Sequence, residues 1–142
     1  MLKKLSPILL LIFGLVFIAN AQTAPAEGPK AEIVFEQTLH NFGDIHQGDV
    51  VTYVFKFKNT GKAPLVLSNV LVTCGCTAPE WPKEPILPGK KGEIKVSFNS
   101  AGKMGAQNKV ITVQSNAPQT TVTIVANVLP AVAPATPATP GK

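Results

Sequence analysis

The stretch DVVTYVFKFKNTG, residues 49–61, decides the fold class. Apolar or aromatic side chains alternate along it with Thr and Lys: Val51, Tyr53, Phe55 and Phe57 against Thr52, Lys56 and Lys58. Because side chains of a β-strand point alternately to its two faces, this period of two predicts a strand with one buried and one solvated face. The Asn-Thr-Gly that follows predicts a turn.

Similar segments continue from residue 31 to residue 129. GEIKVSFNS (92–100) aligns Ile94, Val96 and Phe98, and QTTVTIVANV (119–128) aligns Val122, Ile124, Ala126 and Val128. AEIVFEQTLHNFG (31–43), APLVLSNVLVT (63–73) and NKVITVQSN (108–116) also have strand composition, and Gly43 predicts the end of the first of them. No segment has sustained helical spacing. The sequence therefore predicts an all-β, immunoglobulin-like antiparallel β-sandwich of about seven strands.

The segments outside 31–129 differ in composition. Residues 1–21 contain two lysines, then the apolar run ILLLIFGLVFIA, then the small residues ANA. This order predicts a signal peptide cleaved after Ala21. That apolar run is shorter than the ~20 residues of a membrane span, which favours a cleaved signal peptide over a membrane anchor. We therefore expect no membrane span after cleavage. Residues 22–30 and 130–142 are rich in Pro and Ala and predict a flexible spacer and a disordered tail. The expected location is periplasmic or secreted.

The charge of the chain gives little indication of a partner. The chain has a formal net charge of +5, and every basic residue is Lys, so the bidentate phosphate grip of Arg is missing. Lys3 and Lys4 leave with the signal peptide, which reduces the positive excess. The sequence therefore predicts no nucleic-acid binding.

The only two cysteines lie in VLVTCGCTAPEWP, residues 70–82. As near neighbours they cannot join the two sheets of a sandwich. An extended Cys-x-Cys places the Cα atoms ~6–7 Å apart, at the edge of the ~4.4–6.8 Å that a disulfide needs, and Gly75 lets the backbone bend. Four interpretations stay open for Cys74 and Cys76: a local disulfide that shapes the loop, reduced cysteines packed as small apolar residues, Cu(I) binding by two thiolates, and thiol–disulfide exchange.

Other side chains near this loop allow two interpretations each. A closed zinc site needs four ligands, and His40 and His46 are the only histidines; both are expected to be surface or capping imidazoles. Trp81 is either a contact residue on an exposed loop or a ring that covers one end of the sandwich. No catalytic motif occurs, so the sequence predicts no catalytic residues and no cofactor.

Four stretches together resemble a known family: HNFGDIHQGD (40–49), YVFKFKNTGKAPLVLSNV (53–70), TCGCTAPEWPKEPILPGKKGEIKVSFN (73–99) and ITVQSNAP (111–118). They resemble DUF1573, a family of exported bacterial proteins frequent in Bacteroidetes. That family is similar to the immunoglobulin-like domains of the major-sperm-protein/ASH/Hydin group. The resemblance covers Phe35 to Val128 and implies a sandwich fold and export, but no established activity.

The function expected from the sequence is that of an exported, non-enzymatic interaction module. Its partner would be another protein or an envelope component. An exposed strand edge, or the loop end that carries Cys74, Cys76 and Trp81, would make the contact. The alternatives are periplasmic Cu(I) binding by the two cysteines and a role as a thiol–disulfide redox helper.

Overall fold

A computed structural model describes residues 28–133 of the chain. Within this range the chain forms eight strands and no helix: β1 Ile33–Phe35, β2 Leu39–His46, β3 Val50–Asn59, β4 Leu67–Val72, β5 Thr77–Glu80, β6 Lys91–Asn99, β7 Gly105–Ser115 and β8 Thr120–Leu129. A membrane-spanning helix is therefore not found in the described range. The predicted signal peptide, most of the predicted spacer and residues 134–142 of the predicted tail lie outside the described residues.

The strands form two four-stranded sheets, as the predicted all-β sandwich requires. Sheet 1 has the order β1-β3-β6-β5, and sheet 2 has the order β2-β8-β7-β4. The immunoglobulin-like sandwich is confirmed, with eight strands instead of about seven. Sheet 2 is mixed, because β2 and β8 run parallel while the other pairs are antiparallel.

The six strand-like segments of the sequence give eight strands, because residues 77–80 add β5 and the segment 31–43 contributes to both sheets. Its first part, β1, pairs with β3 in sheet 1, and its second part, β2, pairs with β8 in sheet 2. The changeover falls at residues 36–38, where the amide of Glu36 still donates to the Lys56 carbonyl and Thr38 already accepts from the Thr123 amide. Since the chain keeps its direction across the changeover, β2 meets β8 in parallel.

Strand β2 also continues past the residue where the sequence predicted its end. Gly43 has a φ of 71°, and the register with β8 shifts between Asn41 and Asp44, so the glycine forms a bulge inside the strand. The Gly43 amide donates to the Asn41 side chain at 2.8 Å. Glycine adopts this positive φ readily, and here it bends the strand, so the strand end predicted at Gly43 is wrong.

The core lies between the two sheets and uses the alternating residues that the sequence identified. Phe55 and Phe57 of β3 are fully buried, whereas Val51 and Tyr53 of the same face are only partly buried. The inward residues of β6 and β8 complete the core with Ile94, Val96, Phe98, Val122, Ile124, Ala126 and Val128. Burial of each large apolar side chain contributes about 1.5–3 kcal/mol.

One polar residue is fully buried at the end of β3. The Asn59 side chain donates to the carbonyls of Ala63 and Ile86 at 2.8 and 2.9 Å. Its oxygen accepts from the amides of Gly61 and Glu32 at 3.0 and 3.3 Å. The Asn59 side chain therefore links three segments by hydrogen bonds: the β3–β4 turn, the loop before β6 and the segment before β1.

Candidate interaction surfaces

The cysteine loop connects β4 to β5 at one end of the sandwich. In the structure a disulfide joins Cys74 and Cys76, whose Cα atoms are 5.3 Å apart, as in the first of the four interpretations. Both cysteines are half-buried, and the Cys76 carbonyl accepts from the Asn99 amide at 2.9 Å. The loop is thus attached to the end of β6, and the disulfide encloses Gly75 alone.

We expect the double variant Cys74→Ser, Cys76→Ser to fold, with the free energy of unfolding reduced by at most about 1.5 kcal/mol. The reason is that a disulfide stabilises mainly by restricting the unfolded chain, and a three-residue loop restricts it little. Urea denaturation of the oxidised protein, the reduced protein and the double variant measures this. A loss above about 3 kcal/mol would show that the loop stabilises the fold by other means.

Neither histidine joins the cysteines in a group of three metal-ligating side chains within the described residues. His40 points into the sandwich, where its ring stacks on Tyr53 at 3.6 Å and meets Phe42 edge-on at 4.6 Å. His40 is half-buried, whereas the sequence predicted a surface or capping imidazole, and this burial lowers the pKa of the ring. His46 is exposed at the end of β2, as expected. Strands β2 and β4 form opposite edges of sheet 2, which separates His40 from the cysteine loop.

Trp81 follows β5 and packs against the core. The ring is half-buried, its Nε1 is buried without a hydrogen-bond partner, and the Lys83 ammonium lies 3.2 Å from the ring centre. A cation over an aromatic face is an attractive contact. Trp81 therefore covers part of the core while Lys83 covers one side of its ring.

Within 28–133, no three His, Cys, Asp or Glu side chains are grouped so that they can hold a metal ion. The described residues thus do not combine the histidines and the cysteines into a metal site.

Each of the four strand edges has a feature that opposes pairing with a partner strand. In sheet 1, β1 has three residues, and β5 has four and contains Pro79, which lacks an amide hydrogen. In sheet 2, β2 is bulged at Gly43, and on β4 the Val70 amide donates to the neighbouring Asn69 side chain at 2.9 Å. Proteins use short, bulged and proline-containing edges to prevent edge-to-edge association. These edges disfavour the edge-pairing contact that the sequence allowed.

Sheet 1 presents a charged outer face. Its outward residues include Lys56, Lys58, Glu80, Lys91, Glu93 and Lys95. Lys91 pairs with Glu36 at 2.7 Å and Lys95 pairs with Glu80 at 3.4 Å. The hydrogen bond and charge of Lys91 lower the pKa of Glu36, and Glu36 in turn raises the pKa of Lys91. This face is ordinary solvated surface with weak, exposed ion pairs.

Sheet 2 presents an outer face of the opposite character, which we call the neutral face. Apart from the Asp44 carboxylate and the His46 imidazole, which faces outward at the end of β2, it consists of uncharged residues: Leu39, Asn41, Asn69, Leu71, Ala106, Asn108, Val110, Thr112, Gln114, Thr121, Thr123, Val125, Asn127 and Leu129. No lysine or glutamate of the described strands points outward there. The carboxylate, Asp44, accepts from the Asn127 amide group at 2.8 Å.

Sequence reasoning missed the neutral face, although a signal for it was present. The solvated positions of residues 108–116 and 119–128 are Thr, Asn, Gln and Val, whereas those of residues 91–99 are mainly Lys and Glu. Only the topology shows that the strands with uncharged solvated positions lie side by side in one sheet.

The comparison with protein families shows which family the chain belongs to. The model of the family described as "Protein of unknown function (DUF1573)" matches residues 33–128, more than half of the chain. The chain belongs to the DUF1573 family. Among curated proteins no match was found.

Solved structures show how this DUF1573 domain is built. A protein of unknown function from Porphyromonas gingivalis W83 has a TM-score of 0.58 and 18% identity, covering 70% of this chain and 46% of that one. The ASH/PapD-like domain 7 of human CEP192 has a TM-score of 0.58 and 10% identity, covering 80% and 97%. The secreted serine protease VesC from Vibrio cholerae has a TM-score of 0.54 and 16% identity, covering 68% and 23%.

At these identities the likeness shows the fold alone. The DUF1573 sandwich has the immunoglobulin-like, ASH-like architecture that the sequence resemblance implied, and that prediction is confirmed. The chain spans less than half the length of the Porphyromonas structure and about a quarter of the Vibrio protease.

Proposed function

We propose that this DUF1573 domain is an exported, non-enzymatic module that binds another protein or a component of the cell envelope through its neutral face. The observation that carries the proposal is the contrast between the two outer faces. One is covered with Lys and Glu, and the other has Asp44 as its single carboxylate among Thr, Asn, Gln, Val and Leu. Export rests on the signal peptide predicted for residues 1–21.

The physical basis is the cost of removing water from each face. Covering an ion-paired surface requires several charges to be desolvated, and the pairs seldom compensate for that cost. Hydroxyl and amide groups lose less on desolvation and find new hydrogen-bond partners in a contact. Because interface centres are depleted in charged residues, the neutral face is the better contact surface. The blunted strand edges leave this face as the main surface for association.

The cysteine loop supports a second candidate, a thiol–disulfide redox helper. The disulfide lies in an exposed loop, its two cysteines are half-buried, and it links residues only two positions apart. An accessible disulfide is a substrate for exchange with a thiolate. Mass spectrometry of alkylated protein from the native compartment decides this role. If the disulfide is fully oxidised and does not exchange with a reporter dithiol, the redox role is ruled out. Cu(I) binding by the two cysteines would first require the same disulfide to be reduced.

Co-sedimentation with the envelope fraction of the producing cells tests the main proposal. The full chain is compared with Asn108→Lys, Thr121→Lys, which adds two charges to the neutral face. A matched variant, Thr52→Lys, Ala78→Lys, adds two charges to exposed positions of sheet 1. We expect the matched variant to sediment like the unaltered chain and the neutral-face variant to be retained about tenfold less. Equal retention of the two variants, or no retention of the unaltered chain, contradicts the proposal.

A further inference from the structure

The neutral face contains a hollow where β2, β8 and β7 lie side by side. Its volume is about 420 Å³, within the range of small-ligand sites. The cross-strand rows Asn41–Val125–Asn108 and Asp44–Asn127–Ala106 form its lining. The short side chain of Ala106 and the absence of one at Gly43 leave the space open.

The lining combines an apolar floor with a hydrogen-bonding rim. Val125 and Ala106 offer carbon surface, and Asn41, Asn108 and Asp44 stand around it. The Asn41 oxygen is used by the Gly43 amide, which leaves its NH₂ group as a donor. One Asp44 oxygen accepts from Asn127, so the second oxygen is available as an acceptor.

Asn108 adds both a hydrogen-bond donor and a hydrogen-bond acceptor. Its side chain is exposed, and among the described residues it has no hydrogen-bond partner, so its oxygen can accept and its NH₂ can donate. The hollow thus presents amide donors, an amide acceptor and a carboxylate acceptor around a carbon floor. No lysine of the described strands shares this face, so no ammonium group lies there to balance an anion.

We propose that the hollow binds a neutral, hydroxyl-rich saccharide unit of an envelope or secreted glycan. Each sugar hydroxyl both donates and accepts, which matches the mixed rim, and the C–H face of a sugar ring matches the floor of Val125 and Ala106. The Asp44 carboxylate accepts from hydroxyls and repels phosphate or uronate groups. This inference rests on the proposed function, because it names the envelope component that the neutral face contacts.

The size of the face also favours a ligand smaller than a folded protein. Four strands spaced about 4.8 Å apart, with six to eleven residues each, span roughly 550 Å². Stable protein–protein interfaces bury about 800 Å² on each partner. A folded protein, including a second copy of this chain, would find only about two thirds of the usual contact area here.

Titration of the full chain with oligosaccharides tests the inference by NMR or calorimetry. The probes are neutral hexasaccharides of β-1,4-glucose, α-1,4-glucose, β-1,4-mannose and β-1,4-N-acetylglucosamine, with oligogalacturonate as the anionic comparison. We expect at least one neutral probe to bind, oligogalacturonate not to bind, and Asn108→Lys to weaken binding about tenfold. Thr52→Lys on sheet 1 is the matched control and should bind like the unaltered chain.

Three results would overturn the inference: no binding of any neutral probe, preferential binding of oligogalacturonate, or equal weakening by Thr52→Lys. The envelope assay separates this failure from that of the proposed function. If the neutral-face variant loses envelope binding while all neutral probes fail, the face has a partner of another class. If the unaltered chain does not bind envelopes, the proposed function itself fails.

Discussion

Replacing Asn59 with alanine is expected to lower the free energy of unfolding by about 3 kcal/mol and the melting temperature by more than about 10 °C. The side chain is fully buried and makes four hydrogen bonds to backbone groups of three separate segments. Alanine removes all four and leaves amides and carbonyls with too few partners. Each buried, unsatisfied group costs about 1–3 kcal/mol, although the Ile86 carbonyl keeps its bond from the Leu65 amide.

Asn99→Ala is the matched control for this prediction. Asn99 also ends a strand, but it is exposed, and its side chain accepts one bond from the Ala101 amide at 2.9 Å. We expect a loss of about 0.5 kcal/mol there. Urea denaturation monitored by circular dichroism measures both variants. Similar losses for the two would show that the hydrogen bonds of Asn59 do not hold the three segments.

Phe57→Ala is expected to cost about 4 kcal/mol, the largest effect of a single substitution in the core. Phe57 is fully buried and contacts Phe35 at a ring distance of 5.4 Å. It lies directly across from Gly92 of β6, and an added Cβ on Gly92 would collide with the far end of the Phe57 ring. Gly92 therefore provides the space that the ring occupies, and it has no side chain of its own to fill the cavity when the ring is removed.

A double-mutant cycle checks that relation. Gly92→Ala alone is expected to cost about 2 kcal/mol, because the ring of Phe57 must move in a packed core. In a Phe57→Leu background, which lacks the colliding ring atoms, the same substitution should cost less than about 1 kcal/mol. Val54→Ala, on the solvated side of β3, is the control and should lose little. Additive costs for Gly92→Ala and Phe57→Leu would mean that the two positions do not interact.

The sandwich was predictable because apolar and polar residues alternate along single strands. Phe55, Ile94 and Val122 each belong to such a pattern, which indicates the buried face of their own strand. The eighth strand was not predictable in the same way. Residues 31–43 have continuous strand composition, and the changeover at residues 36–38 depends on pairing with β3 and then β8. Likewise, β5 forms around Pro79 because an edge strand needs only one hydrogen-bonded side.

The candidate site was less predictable than the fold. Cysteines and a lone tryptophan attract attention in a sequence, and the structure places them in a loop and against the core. The neutral face consists of Asn41, Asn108, Val125 and similar residues that are individually ordinary. Its character appears only when strands from both ends of the domain are aligned, which depends on long-range pairing and not on local pattern.

The parallel pairing of β2 with β8 has a consequence for the order in which the domain can form. Residues 39–46 find their backbone partners only in residues 123–129, near the opposite terminus of the domain. Until that last strand has been synthesised, β2 has no neighbour in its own sheet, and contacts between such distant residues form slowly. The second sheet is therefore completed only when the whole domain is available.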